Sequence, residues 1–394
     1  MSAQMKRRTL LLGAASALTT ATLASACRGT SRPRLEVRFL EQSLPLRIIR
    51  VFRQEQAQPI TPKLNFEADV QVASLFRTLQ IWQSTKPPQP PLWRRWLPNV
   101  PQPQPPDLFT LGDGWLQAAI AQQLIQPLFL DDLPGWQRVP APWQQLVRRD
   151  AEGQPDAAGP IWGAPYRTQP LIVAYGERAV RALGRAPESW ADLWSPALAG
   201  RIALPNAPRL VMGLTLKKRG ESVNATAQFT APLVQSDLTQ LLAQTRVFDS
   251  STSLKALVNE DVWVAVGWSG DVGAALRRSR SLQGCFPAEG TIWTSDLWVR
   301  PIGLKTDTTL ATQWIDFCWT NATARQIGVF TSGLSPVYLQ SPGSASDAPE
   351  PIDNPLLLPQ DTDAVAQSEV LQPLSPDETN ALTAAFERAV PASS

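Results

Sequence analysis

The stretch VWVAVGWSGDVGAAL, residues 262–276, reads as a strand, a turn and a helix in succession. Val262–Val266 is a short apolar run rich in β-branched residues, Gly267 and Gly270 interrupt it, and Val272–Ser279 continues at helical spacing. The same succession recurs on either side. Leu35–Leu40, Lys63–Ala68, Asp107–Leu111, Arg201–Leu204 and Asp296–Val299 read as strands. Leu44–Gln56 (with Leu46, Ile49 and Phe52 on one face), Val72–Gln83, Gly114–Gln123, Ala207–Arg219 and Leu310–Thr320 read as helices. Such alternation predicts an α/β protein of open, mostly parallel sheets covered by helices. In sheets of this kind ligands bind beyond the carboxyl ends of the strands, where loops lead into helices. Trp268 and Asp271 stand at such an edge, an aromatic face for a cation and a carboxylate that accepts charge-assisted hydrogen bonds. A second reading makes Asp271 a helix cap and Trp268 hinge packing.

At the other end, Lys6-Arg7-Arg8 precedes an uncharged run from Thr9 to Leu23, and Ala24-Ser25-Ala26 leads to Cys27. This is the pattern of an export signal. The apolar part is diluted by Thr19, Thr20 and Thr22 and is shorter than the roughly 20 apolar residues a membrane span needs. Cleavage is expected, giving a protein that works outside the cytoplasm, in the periplasm. The Lys-Arg-Arg-Thr-Leu-Leu order resembles a twin-arginine signal, and Ala24–Cys27 resembles a lipobox with Cys27 as the acylated residue. Membrane contact is then expected only through a lipid anchor.

Composition removes whole classes of chemistry. The 394 residues contain no histidine, which excludes Ser-His-Asp and Cys-His catalytic units and His-bearing zinc sites. With no G-x-S-x-G either, the chain does not read as an enzyme, and no cofactor is implied. Without Lys6, Arg7 and Arg8 the 36 basic residues fall to 33 against 34 acidic, a balance that gives no nucleic-acid footprint. Beyond Cys27 only Cys285 and Cys318 remain, either to form a bridge or to stay as two buried thiols. The 15 Trp are too many for one pocket, so most are expected in the core. Nine Pro between Thr85 and Pro106 predict a polyproline-like excursion. Residues 340–375, rich in Pro, Ser and Asp, predict a surface wrap before a capped helix that opens at Ser375.

Several blocks carry a family resemblance: DLFTLGDGWLQAAIAQQLIQPL (107–128), GAPYRTQPLIVAY (163–175), SWADLWSPALAGRIALPNAPRLVMGL (189–214), VWVAVGWSGDVGAAL (262–276) and TSDLWVRPIG (294–303). In this order they resemble bacterial extracellular solute-binding proteins of the spermidine/putrescine type, receptors of ABC importers. The resemblance implies a two-lobed type II periplasmic binding protein with an interlobe ligand cleft. It places lobe 1 at 35–165 plus 268–305 and lobe 2 at 166–267 plus 306–345. Residues 1–26 would be the signal, 27–34 the tether and 346–394 a C-terminal wrap and helix. It further implies a small cationic solute such as putrescine or spermidine, and permease subunits in the inner membrane as partners. By the family pattern Trp268 and Asp271 grip the amine and Asp296 matches a second carboxylate. Asp113 and Glu41 are the remaining candidates, because positions that carry acids in the second lobe of the family are Asn206, Ala207 and Leu210 here. A receptor for a sugar or another solute, and a structural lipoprotein that binds nothing, stay open as alternatives.

Overall fold

The computed structural model describes residues 34–56, 62–84, 105–303, 309–339, 354, 356–357 and 362–390. The expected signal, tether and Cys27, and nearly all of the Pro-rich excursion, lie outside these residues. Eleven strands are present among them: β1 (Arg34–Leu40), β2 (Lys63–Asp69), β3 (Leu108–Gly112), β4 (Ile125–Gln126), β5 (Ala164–Gly176), β6 (Ile202–Leu204), β7 (Thr245–Phe248), β8 (Val264–Trp268), β9 (Leu282–Cys285), β10 (Ile292–Pro301) and β11 (Glu369–Val370). Their order along the main path is β2-β1-β3-β10-β5-β8-β6-β7.

Two parallel clusters stand at the ends of this order. In the first, β1 lies parallel to β2 and β3, and in the second β6 lies parallel to β7 and β8. Two antiparallel strands join them. β10 pairs with β3 through Asp296–Gly112 to Val299–Phe109. β5 pairs with β10 over its first half and then, from Leu171, lies between β8 and β9. Only one β5 position ahead of Gly176 is less than fully buried, Gln169, which marks the junction of the two lobes.

One apolar cluster holds Leu35, Val37, Phe52, Phe109, Trp298 and Trp314 of the first lobe and continues into the second with Ala203, Leu257, Ala265 and Val272. A separate cluster, with Trp190, Leu204, Met212, Phe229, Leu238 and Val264, lies within the second lobe. Trp136, Trp190, Trp293, Trp298, Trp314 and Trp319 are among the largest fully buried side chains, so the Trp-rich composition is mainly core. Tyr166 stacks on Trp298 with ring centroids 4.2 Å apart, which locks the start of β5 onto β10.

The expected division into lobes needs correction at two places. Helix Thr309–Cys318 sits in the first lobe, not the second: Trp314 meets Phe52 edge-on at 5.0 Å and Phe66 at 4.8 Å. Strand β9 pairs with the second half of β5, so the chain re-enters the first lobe along β10 and not at residue 268. The helical pattern reveals an apolar face, but not which sheet will cover it.

Smaller differences concern helix starts. Helix Leu46–Glu55 begins two residues later than expected and leaves Leu46 72% exposed, while Ile48 joins Ile49 and Phe52 inside. Cys285 and Cys318 are both free, so the bridge does not form. Burial pushes the Cys285 thiol up to about 12, which keeps it protonated and unreactive. The C-terminal helix Pro376–Ala389 opens as expected, with Ser375 and Glu378 in a reciprocal capping box, and it packs on helix Pro232–Gln244.

Candidate functional site: a cleft between the lobes

Several strand ends converge where β5 passes between the lobes. β3 stops at Gly112 and turns through Asp113, Gly114 and Trp115. β8 ends on Trp268, and helix Ser269–Arg278 starts immediately after it. Gln169 of β5 accepts a hydrogen bond from the Gly270 amide at 3.0 Å, which pins that helix start to the crossing strand. With Trp293, Thr294 and Asp296 of β10, these residues line a cleft of about 460 Å³. The first lobe adds Leu40, Gln42 and Val70, and the second adds Leu210 and Leu371.

Four of the five expected ligand-binding residues line this cleft: Trp268, Asp271, Asp296 and Asp113. Glu41 does not. It opens a short 3-10 turn, Glu41–Ser43, and is exposed. Ser43 is held inward by the Tyr166 hydroxyl at 2.6 Å and the Leu40 carbonyl at 2.7 Å, so Gln42 faces the cleft in place of its neighbour. The helix at Ser269 has no side-chain cap bond, and Asp271 lies exposed in its first turn. Surrounding protein still raises the pKa of Asp271 by desolvation, which the Arg167 charge opposes.

Asp113 accepts hydrogen bonds from the Thr294 hydroxyl at 2.7 Å and the Gly114 amide at 3.0 Å. Desolvation nevertheless raises it to about 6, helped by the like charge of Asp296. Because its pKa is higher in the folded chain than in the unfolded one, the folded state holds the extra proton between about pH 4 and pH 6. Stability from this group is therefore full below pH 4 and is lost as pH rises through 6. Asp113→Asn should remove that loss, so its melting temperature relative to the parent should climb between pH 4 and pH 7 in thermal scans. A difference that stays flat across this range would contradict the burial argument.

Arg167 was not among the expected site residues, yet it organises the centre. Its Nη1 donates to Asp296 Oδ2 at 2.8 Å, and both side chains are buried, at 3% and 8% exposure. Its Nε donates to the Thr331 hydroxyl at 3.1 Å, and its Nη2 to the Thr331 carbonyl at 3.0 Å. That carbonyl ends helix Asn321–Thr331, where the helix dipole favours a cation. Burial pushes Asp296 up, and the ion pair with Arg167 pulls it back. No local pattern announces such a pair, since its members are 129 positions apart.

The cleft thus gathers three carboxylates and one guanidinium, with Trp115, Trp268 and Trp293 among its walls. A family model described as bacterial extracellular solute-binding protein matches residues 103–361, the greater part of this chain. The chain belongs to that family. As a bacterial extracellular solute-binding protein it has curated relatives that name a class of ligand. It is 27% identical over 215 residues to the putrescine-binding periplasmic protein PotF of Escherichia coli (strain K12), covering 50% of this chain and 56% of that protein. It is 27% identical over 191 residues to the spermidine/putrescine-binding periplasmic protein of the same strain, covering 48% of this chain and 52% of that one. The matches span about half the length of these relatives.

Solved structures confirm the two-lobed fold of this solute-binding protein. The spermidine/putrescine ABC transporter substrate-binding protein PotD from Streptococcus pneumoniae superposes with a TM-score of 0.68 at 17% identity, over 91% of this chain and 98% of that one. A periplasmic binding protein from A. tumefaciens R10, in complex with agropinic acid, superposes at 0.53 and 12% identity, over 91% and 98%. The fold is shared by proteins with unlike ligands. The choice of ligand therefore rests on the side chains of the cleft.

Proposed function

We propose that this protein is the exported receptor of an ABC importer, and that it captures a small organic cation of the polyamine class between its lobes for delivery to permease subunits. The observation that carries this reading is the acidic, indole-lined cleft at the lobe junction. A desolvated ammonium needs a compensating charge, and among the described residues Asp113 and Asp271 offer it without an ion pair to another cation. Trp268 ends the strand from which the Asp271 helix departs, so an indole face and a carboxylate are presented together. The names of the curated relatives, putrescine and spermidine binders, agree with this chemistry. Among the described residues no helix is long and apolar enough to cross a membrane. Attachment is assigned to a lipid on Cys27, and loss of fatty-acid label in Cys27→Ser tests it.

Capture by a two-lobed receptor shifts an open population towards a closed one, because the ligand contacts both lobes only when they approach. Small-angle scattering with saturating putrescine or spermidine should therefore give a smaller radius of gyration than the ligand-free protein. Binding demonstrated by calorimetry with an unchanged radius would count against recognition between the lobes.

A further inference from the structure

The acids of the cleft and a group of its apolar side chains lie towards different ends of the strand order β2-β1-β3-β10-β5-β8. Asp113 follows β3, Asp296 lies on β10 and Asp271 follows β8. Asp113 and Asp271 therefore stand on opposite lobes, and a diamine held between them runs from β3 towards β8. Leu40 ends β1 and Val70 directly follows β2, on the other side of Asp113. Neighbouring strands are about 4.8 Å apart, so the end of β2 lies about 10 Å beyond that of β3.

This outer end is apolar and open to solvent. Val70 is 73% exposed and Trp115 39% exposed, although both line the cleft. Trp115 stacks on Phe76 with ring centroids 4.6 Å apart, and Phe76 belongs to helix Val72–Ser84, which starts two residues after Val70. Gln42, which lines the cleft just beyond Leu40, is neutral. The acids beside this end in the sequence, Glu41 and Asp69, are not part of the lining. Asp69 accepts the Ser74 hydroxyl at 2.6 Å and the Val70 amide at 2.9 Å. Between Asp113 and Trp115, Gly114 has no atom within 4 Å of the position a Cβ would take, so the turn leaves open space beside the acid and the indole.

We propose that Leu40, Val70 and Trp115 form an apolar subsite at the outer end of the cleft, and that the ligand is a polyamine whose nitrogen at Asp113 carries an apolar substituent reaching over it. The inference rests on the reading of this cleft as a cation site. An unsubstituted diamine satisfies the acids and leaves these three side chains against water. An N-alkyl or N-aryl group covers them, and the gain grows with the apolar area removed from water. A third ammonium placed there finds no charged partner among Leu40, Gln42, Val70 and Trp115, so a triamine gains less than an alkyl chain of the same length.

Calorimetry at pH 7.5 with putrescine, N-butylputrescine and spermidine tests this. The last two have the same length and differ only in a terminal methyl in place of a terminal ammonium. N-butylputrescine is expected to bind the parent at least about tenfold tighter than putrescine, and tighter than spermidine. Val70→Asp should shift the ratio of spermidine to N-butylputrescine affinity at least about fivefold towards spermidine, by placing a carboxylate in the subsite. Val70 is mostly exposed and precedes a helix N-terminus, where an acid suits the dipole, so this variant should fold. Trp115→Ser should reduce the preference for N-butylputrescine over putrescine at least about threefold. A parent that binds N-butylputrescine less than about tenfold tighter than putrescine, or less tightly than spermidine, overturns the apolar subsite while leaving the cation receptor intact. Unchanged ratios in the folded variants overturn the placement of the subsite at Val70 and Trp115. A parent that binds none of the three amines overturns both the receptor reading and this inference.

Discussion

Asp296→Asn should lower the unfolding free energy by about 3–5 kcal/mol, the usual cost of removing one partner from a buried ion pair. Arg167 has 3% exposure and its guanidinium cannot lose its proton, so the variant would leave a buried cation facing only neutral acceptors, the Asn amide oxygen and the two Thr331 oxygens. The loss should be partly recovered in the double variant Arg167→Met/Asp296→Leu, where two apolar side chains of similar size replace the pair. Urea unfolding of the two single variants, the double variant and the parent closes the cycle. Asp296→Asn with the stability of the parent would mean that the pair contributes nothing to the junction of the lobes. This expectation also separates Asp296 from its neighbours: its removal acts on the fold first and on ligand only through Arg167.

The second large effect is on binding. Asp271→Asn should weaken amine binding more than a hundredfold, about 3–5 kcal/mol, because closure of the lobes takes an ammonium and its carboxylate out of water together. Trp268→Leu should cost less, about 1–2 kcal/mol, since a cation over an indole face is a weaker contact than an ion pair. Asp271 is exposed in a first helical turn and makes no cap bond, so its replacement should leave the melting temperature close to that of the parent. Calorimetry on the two variants gives the order directly. An Asp271→Asn protein that binds putrescine as the parent does would return this residue to a role in the helix alone.

How much of this was legible in the sequence follows the range of the interactions involved. The strand that ends on Trp268 and the helix after it depend on local periodicity, and their ends are found within two or three residues of their expected places, whereas Asp296, expected to open a strand, lies inside β10. The capping box at Ser375 is likewise a four-residue signal. Features made by distant segments were not visible. A 13-residue strand with Pro165 and Pro170 inside it, β5, gives no clean alternation because it is buried in two sheets in turn. Arg167 has the composition of a surface residue until β10 brings Asp296 beside it. Leu371 reaches the cleft only because Glu369 finds Lys217 and Ser222 on the second lobe. The position of Glu41 outside the cleft lining has a subtler reason: a three-residue turn decides which of two neighbours faces inward, and the anchor of that turn, Tyr166, lies 123 positions away.

A crystal structure of the protein grown with putrescine would show whether a cationic solute sits between the lobes. An ammonium nitrogen is expected within about 3 Å of the Asp113 or Asp271 carboxylate and over the Trp268 ring, with the Arg167–Asp296 pair unbroken. Amine bound outside this cleft, or a cleft in which Asp113 and Asp271 make no contact with the bound nitrogen, would contradict it.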